Sequence, residues 1–290
     1  MSIVTISRES YTQAKEVAER VAQTLGFECI SREVLIEASE TFNVPEIKLL
    51  RAIRDAPSVL DRFTFGKERY TAYLQAALLD HLQKDNVVYH GLAGHYLVSG
   101  VCHVLRVRIV GNQEDRVKTV MQRAEIFEQA ASAMEGITAP GPTRAARRGK
   151  VSKGEALRVL EEIDEARRGW GFHLYGIDTR DPSLYDLLIH VDRLSVDDAA
   201  DLVCRAAGAR QFQTTAESQQ AIDDLLLAAR VKASLIERYP RVNVTAEEGI
   251  VRISLEGGTS SDEAAIHETA EKISGVKKID INLYPFTTPD

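Results

Sequence analysis

The sequence predicts an α/β fold, a parallel sheet flanked by helices with a small αββαβ unit appended, and three observations carry that expectation. Short β-branched runs alternate with amphipathic stretches of helical period. Gly and Ser residues fall where those stretches begin or stop. Beyond "GARQFQTTAES" the texture changes to helix, strand, strand, helix, strand.

The run "IVTI" at 3–6 reads as a buried strand, and Val17, Ala18, Val21, Ala22 and Leu25 then recur at helical spacing, with Gly26 suited to a C-cap. Residues 31–84 read as mostly helical, interrupted by Pro45, Pro57 and Gly66. "NVVYHG" and "HVLRVRIVG" are the next buried strands, and "EDRVKTVMQR" opens a helix. "YDLLIHVD" is a further strand, after which Ser195 is placed to cap "LSVDDAADLVCRAA", whose first turn carries Asp197 and Asp198. The basic, Pro- and Gly-containing stretch "EGITAPGPTRAARRGKVSKGE" predicts a mobile loop, either a solvated connector or an anion-binding lid over the carboxyl edge of the sheet. A helix over 218–239, two strands turning at Glu248-Gly249, a helix from about Ser261 and a strand after Gly275 complete the chain. The expected division is 1–212 and 213–290.

With 290 residues, 44% of them hydrophobic, the chain can bury a main core and a smaller one. A formal net charge of -7 argues against nucleic acid or an anionic membrane as partner. The cysteines Cys29, Cys102 and Cys204 are odd in number and far apart, which fits a reducing compartment. The opening "MSIVTIS" has neither the basic flank nor the apolar core of a signal peptide, so a cytoplasmic location is expected, with homo-oligomerisation left open.

The segment "ISRESYTQAKE" poses the chemical question. A phosphate-binding loop directs backbone N–H groups at an anion from a helix N-terminus, helped by a lysine, and its glycines let the backbone approach closely. The loop 9–15 holds no glycine, and Glu16 stands where the Walker pattern has a hydroxyl. An ordinary β–α turn with Lys15 solvated is the alternative reading.

"ISRE", "AERVAQTLGF", "NVVYHGLAGHYL", "EDRVKTVMQR", "IDEARRGW" and "YDLLIHVDRLSVDDAADLV" together resemble, in order over residues 2–206, the cytidylate-kinase-like family of P-loop nucleoside monophosphate kinases. The resemblance implies a P-loop kinase-like domain, a nucleotide ligand, ATP and Mg2+ as cofactors, and phosphoryl transfer from ATP to a nucleoside monophosphate such as CMP. It places Arg8, Thr12, Gln13, Ala14, Lys15 and Glu16 on the donor nucleotide, with Lys15 in the basic position of the loop and Thr12 offering a hydroxyl to magnesium. It assigns Lys15, Arg116, Arg123, Asp164 and Arg167 to the transfer itself, and Gly91 and Arg168 to the acceptor. Where family members carry loop glycines this chain has Tyr11, Gln13 and Ala14, and a left-handed conformation there costs on the order of 1 kcal/mol each. Gly91-Leu92 replaces a glycine-arginine pair, which removes a bidentate phosphate contact. The Walker A loop is therefore degenerate, and a catalytically inactive nucleotide-sensing or scaffold protein is the alternative to an enzyme.

Other constellations carry two readings each. The arginines can instead form surface ion pairs with Glu114, Asp115, Glu161, Glu162 and Glu165, and Asp164 can place magnesium or orient an arginine. His90, His95 and His103, beside Cys102, are expected to be structural or solvated rather than zinc ligands. Trp170, Phe172 and Tyr175 suit either base stacking or packing. "EEGIVRISLEGG" and "ISGVKKIDINLY" resemble a BON domain over 217–284, which implies an interaction or regulatory role toward an unknown partner, with plain packing or dimerisation as the other reading.

Overall fold

The computed structural model describes residues 2–9, 13–31, 33–44, 48–49, 66–91, 94–122 and 151–285. The expected interruptions at Pro45 and Pro57, the residues Tyr11, Thr12, Leu92 and Arg123, and positions 135–150 of the basic loop lie outside them, as do the side chains of Arg167, Trp170 and Tyr175.

Strand β1 (Ile3–Arg8) is the middle of a five-stranded sheet. Its neighbours are β3 (Val87–His90) and β4 (Val104–Gly111), with β2 (Glu28–Ile30) and β5 (Leu187–Val191) at the edges, and every pairing is parallel. A parallel sheet is covered on both faces, which is why "IVTI" and "VVY" are apolar without alternation. Successive residues of β1 part to opposite sides: Val4 and Ile6 to one core, Ile3 to the other.

The first core lies under α1 (Ala14–Leu25) and α7 (Val196–Ala207), where Ala14, Val17, Ala18 and Val21 meet Ala199, Ala200 and Val203. The small residues set the two helices close together over the sheet. Helix α1 ends at Gly26, whose φ of 69° is the left-handed conformation a glycine adopts without a Cβ penalty. Helix α7 starts with a capping box between Ser195 and Asp198, as the sequence predicts for Ser195.

The second core is built on α2 (Glu33–Thr41), α3 (Gly66–Leu82) and the short α4 (Gly94–Leu97). Gly66 is the first described residue of α3, at the edge of the segment that holds Pro57. Residues 113–122 form α5 and Lys153–Tyr175 form α6, so the end of the basic stretch, from Lys153, is the first turn of a helix capped by Ser152 rather than loop.

The C-terminal unit runs α8 (Ala216–Leu235), β6 (Asn243–Glu247), β7 (Ile250–Glu256), α9 (Ser260–Ala270) and β8 (Lys278–Tyr284), the expected order. Its sheet has the order β6-β7-β8, antiparallel then parallel, and the hairpin turns at Glu248 and Gly249 with φ of 51° and 89°. Helix α8 stops at Leu235, short of the expected 239, where Ile236 forms the C-cap. Ile222, Leu226 and Val231 of α8 share one continuous core with Leu78, Leu79 and Leu82 of α3. The two helices run antiparallel, tied by Gln83 to Asp223 at 2.8 Å, by Arg230 to Asp80 and by Arg69 to Glu237.

Candidate functional site

In an open parallel sheet the usable crevice lies outside the carboxyl ends of the strands, where connections leave in opposite directions. The chain passes from β1 through α1 to β2 on one edge, and from β4 through α5 and α6 to β5 on the other. The carboxyl ends of β1 and β4 therefore flank the switch point, and Arg8 pairs in register with Ile109 there.

Four charged side chains converge at that point. Glu9, the residue after β1, continues the ladder by donating its N–H to Ile109 at 3.1 Å. Its Oε2 accepts from the Gly111 N–H at 3.3 Å and from Arg116 at 3.2 Å, while Oε1 lies 3.9 Å from Arg108. Arg116, on the first turn of α5, also donates to Asp164 of α6. Both arginines are buried, each 8% exposed. Two buried guanidiniums thus face two carboxylates among the described residues.

Arg108 is held from behind. It donates to the Thr179 carbonyl at 2.7 Å and to the Tyr185 hydroxyl at 3.1 Å. The Tyr185 hydroxyl also donates to the Thr179 carbonyl at 3.0 Å and lies 3.2 Å from His95 Nε2. Burial, with Arg108 and Arg106 adding to it, pushes the His95 imidazole down to about 3, so it is neutral at pH 7. Arg106 is pinned to the edge strand by a bidentate contact with Asp186, whose hydrogen bond holds the guanidinium pKa above its ordinary value.

On the β3 side, Tyr89 lies across the strand end. A Cβ on Gly91 would fall 2.3 Å from its hydroxyl, and one on Gly94 would fall 2.5 Å from its ring. Glycine is required at both positions by this close approach, and burial pushes the Tyr89 phenol up.

The residues expected from the sequence are distributed as follows. Arg8 ends β1 beside this cluster, and Arg116 and Asp164 are brought together within it. Gln13, Ala14, Lys15 and Glu16 open α1: Ala14 is fully buried, and Lys15 is exposed and paired with Glu19 at 3.5 Å. Arg168 points elsewhere, donating to Asp178 at 3.0 Å and to Glu165 at 3.4 Å, with the Asp178 hydrogen bond raising its pKa. Gly91 is the floor under Tyr89. Sequence reasoning missed Glu9, Arg108 and Tyr185 as site residues. The only available signal was an arginine inside an otherwise apolar strand, "VLRVRIV", and a glutamate directly after β1.

A nucleotide phosphate fits the donor set, since the Arg116 guanidinium and the Gly111 N–H already hold a carboxylate there with the Arg108 guanidinium 3.9 Å away. For magnesium, Glu9 and Asp164 supply oxygens, but both are engaged by Arg116, and no group of three or more metal-ligating side chains exists among the described residues.

Residues 3–139 match the model of the cytidylate kinase-like family, a stretch that covers β1 through α5 and includes Glu9, Arg108 and Arg116. The match supports the kinase-like family expected from the sequence. No curated protein matches the chain. Among solved structures, an uncharacterized protein from Eubacterium ventriosum is 16% identical, covering 72% of this chain and 100% of its own, with a TM-score of 0.46. Shikimate kinase from Bacteroides thetaiotaomicron is 10% identical over 72% of this chain and 99% of its own, with a TM-score of 0.41. Dephospho-CoA kinase from Campylobacter jejuni is 15% identical over 71% and 97%, with a TM-score of 0.31.

Proposed function

We propose that the chain is a nucleotide-binding protein whose 1–212 portion works at the carboxyl edge of β1 and β4, moving the terminal phosphoryl of ATP to a nucleoside monophosphate such as CMP. The observation that carries this reading is the position of Arg108 and Arg116, two buried guanidiniums at the topological switch point inside the segment that matches a kinase-like family. Phosphoryl transfer is chiefly positioning and charge neutralisation, and buried arginines held by neighbours supply both. In this scheme Arg116 and Arg108 neutralise the phosphates, Asp164 orients Arg116, and the first turn of α1 offers its N–H groups. ATP would supply the phosphoryl group, and magnesium, where bound, would neutralise part of its phosphate charge.

Isothermal titration of ATP, with and without magnesium, into the wild type, Arg116→Ala and Lys15→Ala tests the reading, followed by phosphotransfer assays on the monophosphates. Binding lost in Arg116→Ala supports it. A folded wild type that neither binds nor turns over any nucleotide overturns it.

A second reading, a nucleotide sensor or scaffold without turnover, is favoured by the pairing of Lys15 with Glu19, which turns the loop lysine along the helix. Binding without transfer would decide for it. The 213–290 unit is proposed as a BON-like interaction module on the strength of its αββαβ order, and the protein is placed in the cytoplasm.

A further inference from the structure

We propose that Glu9 is an internal stand-in for a phosphoryl group, occupying the anion position of the site until a polyphosphate displaces it. The inference rests on the reading of this edge as a nucleotide site. Its observations are the two donors that converge on one carboxylate, the Gly111 N–H at 3.3 Å and Arg116 at 3.2 Å, and the second guanidinium, Arg108, that faces it as an ion pair at 3.9 Å. Those are the donors a phosphate takes, one backbone amide and two guanidiniums.

Charge fixes the order of events. With Glu9 and Asp164 in place each arginine already faces a carboxylate, and a polyphosphate entering between them would bring its negative charges against those carboxylates in a buried position. Moving the Glu9 carboxylate out removes one negative charge and releases the Gly111 N–H and Arg116 together, with Arg108 beside them. Asp164 stays behind, since it holds Arg116 from the α6 side rather than from the anion position. Glu9 is suited to leave: its side chain is 26% exposed, against 9% for Arg116, so its carboxylate has a route to water that the guanidinium lacks. Glu9 therefore sets the threshold for ligands, rejecting weak monoanions and yielding to polyphosphates.

The test is titration of inorganic triphosphate and of ATP into the wild type, Glu9→Gln and Glu9→Asp. Glu9→Gln keeps the shape and removes the competing charge, and its triphosphate affinity is expected to rise about tenfold or more, while Glu9→Asp stays near the wild type. Equal or weaker binding in Glu9→Gln overturns the proposal, because a carboxylate that only orients the arginines would lower affinity when lost. Should Glu9→Gln fail to fold, the side-chain carboxyl carbon resonance of Glu9 in labelled wild-type protein decides: saturating triphosphate is expected to move it to the position of a solvated glutamate, and an unmoved resonance overturns the proposal. If the wild type binds ATP and Glu9→Gln binds no tighter, the stand-in role alone falls. If neither protein binds ATP or triphosphate, the nucleotide reading falls with it.

Discussion

The hydroxyl of Tyr185 lies 3.2 Å from Nε2 of His95, joining the turn before β5 to the short helix after β3. Because that hydroxyl accepts from Arg108 and donates to the Thr179 carbonyl, the neutral imidazole completes it as a donor through Nε2. The contact thus links the two strands on either side of β1 through one buried guanidinium. It holds Arg108 at the switch point from the rear, leaving its other nitrogen for Glu9.

The acid sensitivity of the fold follows from that imidazole. In the folded chain His95 is pushed down to about 3 from its ordinary 6.5, so between those values the unfolded chain binds the extra proton. Stability must then fall as pH falls from about 6.5, with a slope of up to about 1.4 kcal/mol per pH unit. Asp178, Asp181, Asp198, Asp262, Glu155 and Glu268 are held low by hydrogen bonds, so the stability they contribute is lost as pH falls from their ordinary carboxylate values toward the lowered ones. Urea unfolding between pH 6.5 and 4.5 isolates the histidines. His95→Gln, which retains a donor for Tyr185, is expected to flatten the slope, and His103, also lowered by burial, supplies what remains. An identical slope in the variant would show that His95 takes no part.

Arg108→Met is expected to destabilise the fold by about 3 kcal/mol, since it removes the donor to the Thr179 carbonyl and the Tyr185 hydroxyl and the charge that faces Glu9 while filling the same space. Arg108→Lys, keeping the charge without the planar fork, should lie between the variant and the wild type. Chemical unfolding at pH 7 measures both, and a loss below about 1 kcal/mol in Arg108→Met would mean the network is solvated.

Much of the frame was legible because period and caps agree: "IVTI", the Val17 and Ala18 stripe, Ser195, and Gly249 at the hairpin all do what their chemistry dictates. Strand β2 was not, since its three residues, Glu28, Cys29 and Ile30, take their conformation from pairing with β3 rather than from any pattern of their own. At the site, Arg116 and Asp164 were both readable as candidates, but their pairing joins residues 48 apart and depends on how α6 returns over α5. Arg108 was hidden by the alternation of its strand, which presents an arginine as solvent-facing until the Thr179–Tyr185 segment covers it.

Gly94→Ala is expected to cost about 1–3 kcal/mol, because the new Cβ would meet Cδ1 and Cε1 of the Tyr89 ring and the buried ring has to move. The clash is specific to one partner, so a double-mutant cycle with Tyr89→Leu should recover most of the loss. Additive losses in the cycle would place the constraint in the backbone instead.

The last prediction concerns the seam between 1–212 and 213–290. Units joined by a linker ordinarily unfold separately unless a large apolar interface couples them. Here α8 lies along α3, with Leu226 and Ile222 in the same core as Leu79 and Leu82, and polar ties at both ends of the helix pair. Lys232 is half-buried at the same contact, and desolvation pushes its pKa down against the opposing charge of Glu68. Leu226→Ala should therefore remove about 2–5 kcal/mol from both units together rather than from the C-terminal one alone. Native-state hydrogen exchange reads this directly: the slowest amides of β1 and β4 and those of β7 should share one unfolding free energy and fall by the same amount in the variant. Loss confined to β7, with β1 and β4 unchanged, would establish two independently stable units meeting at the boundary near residue 213.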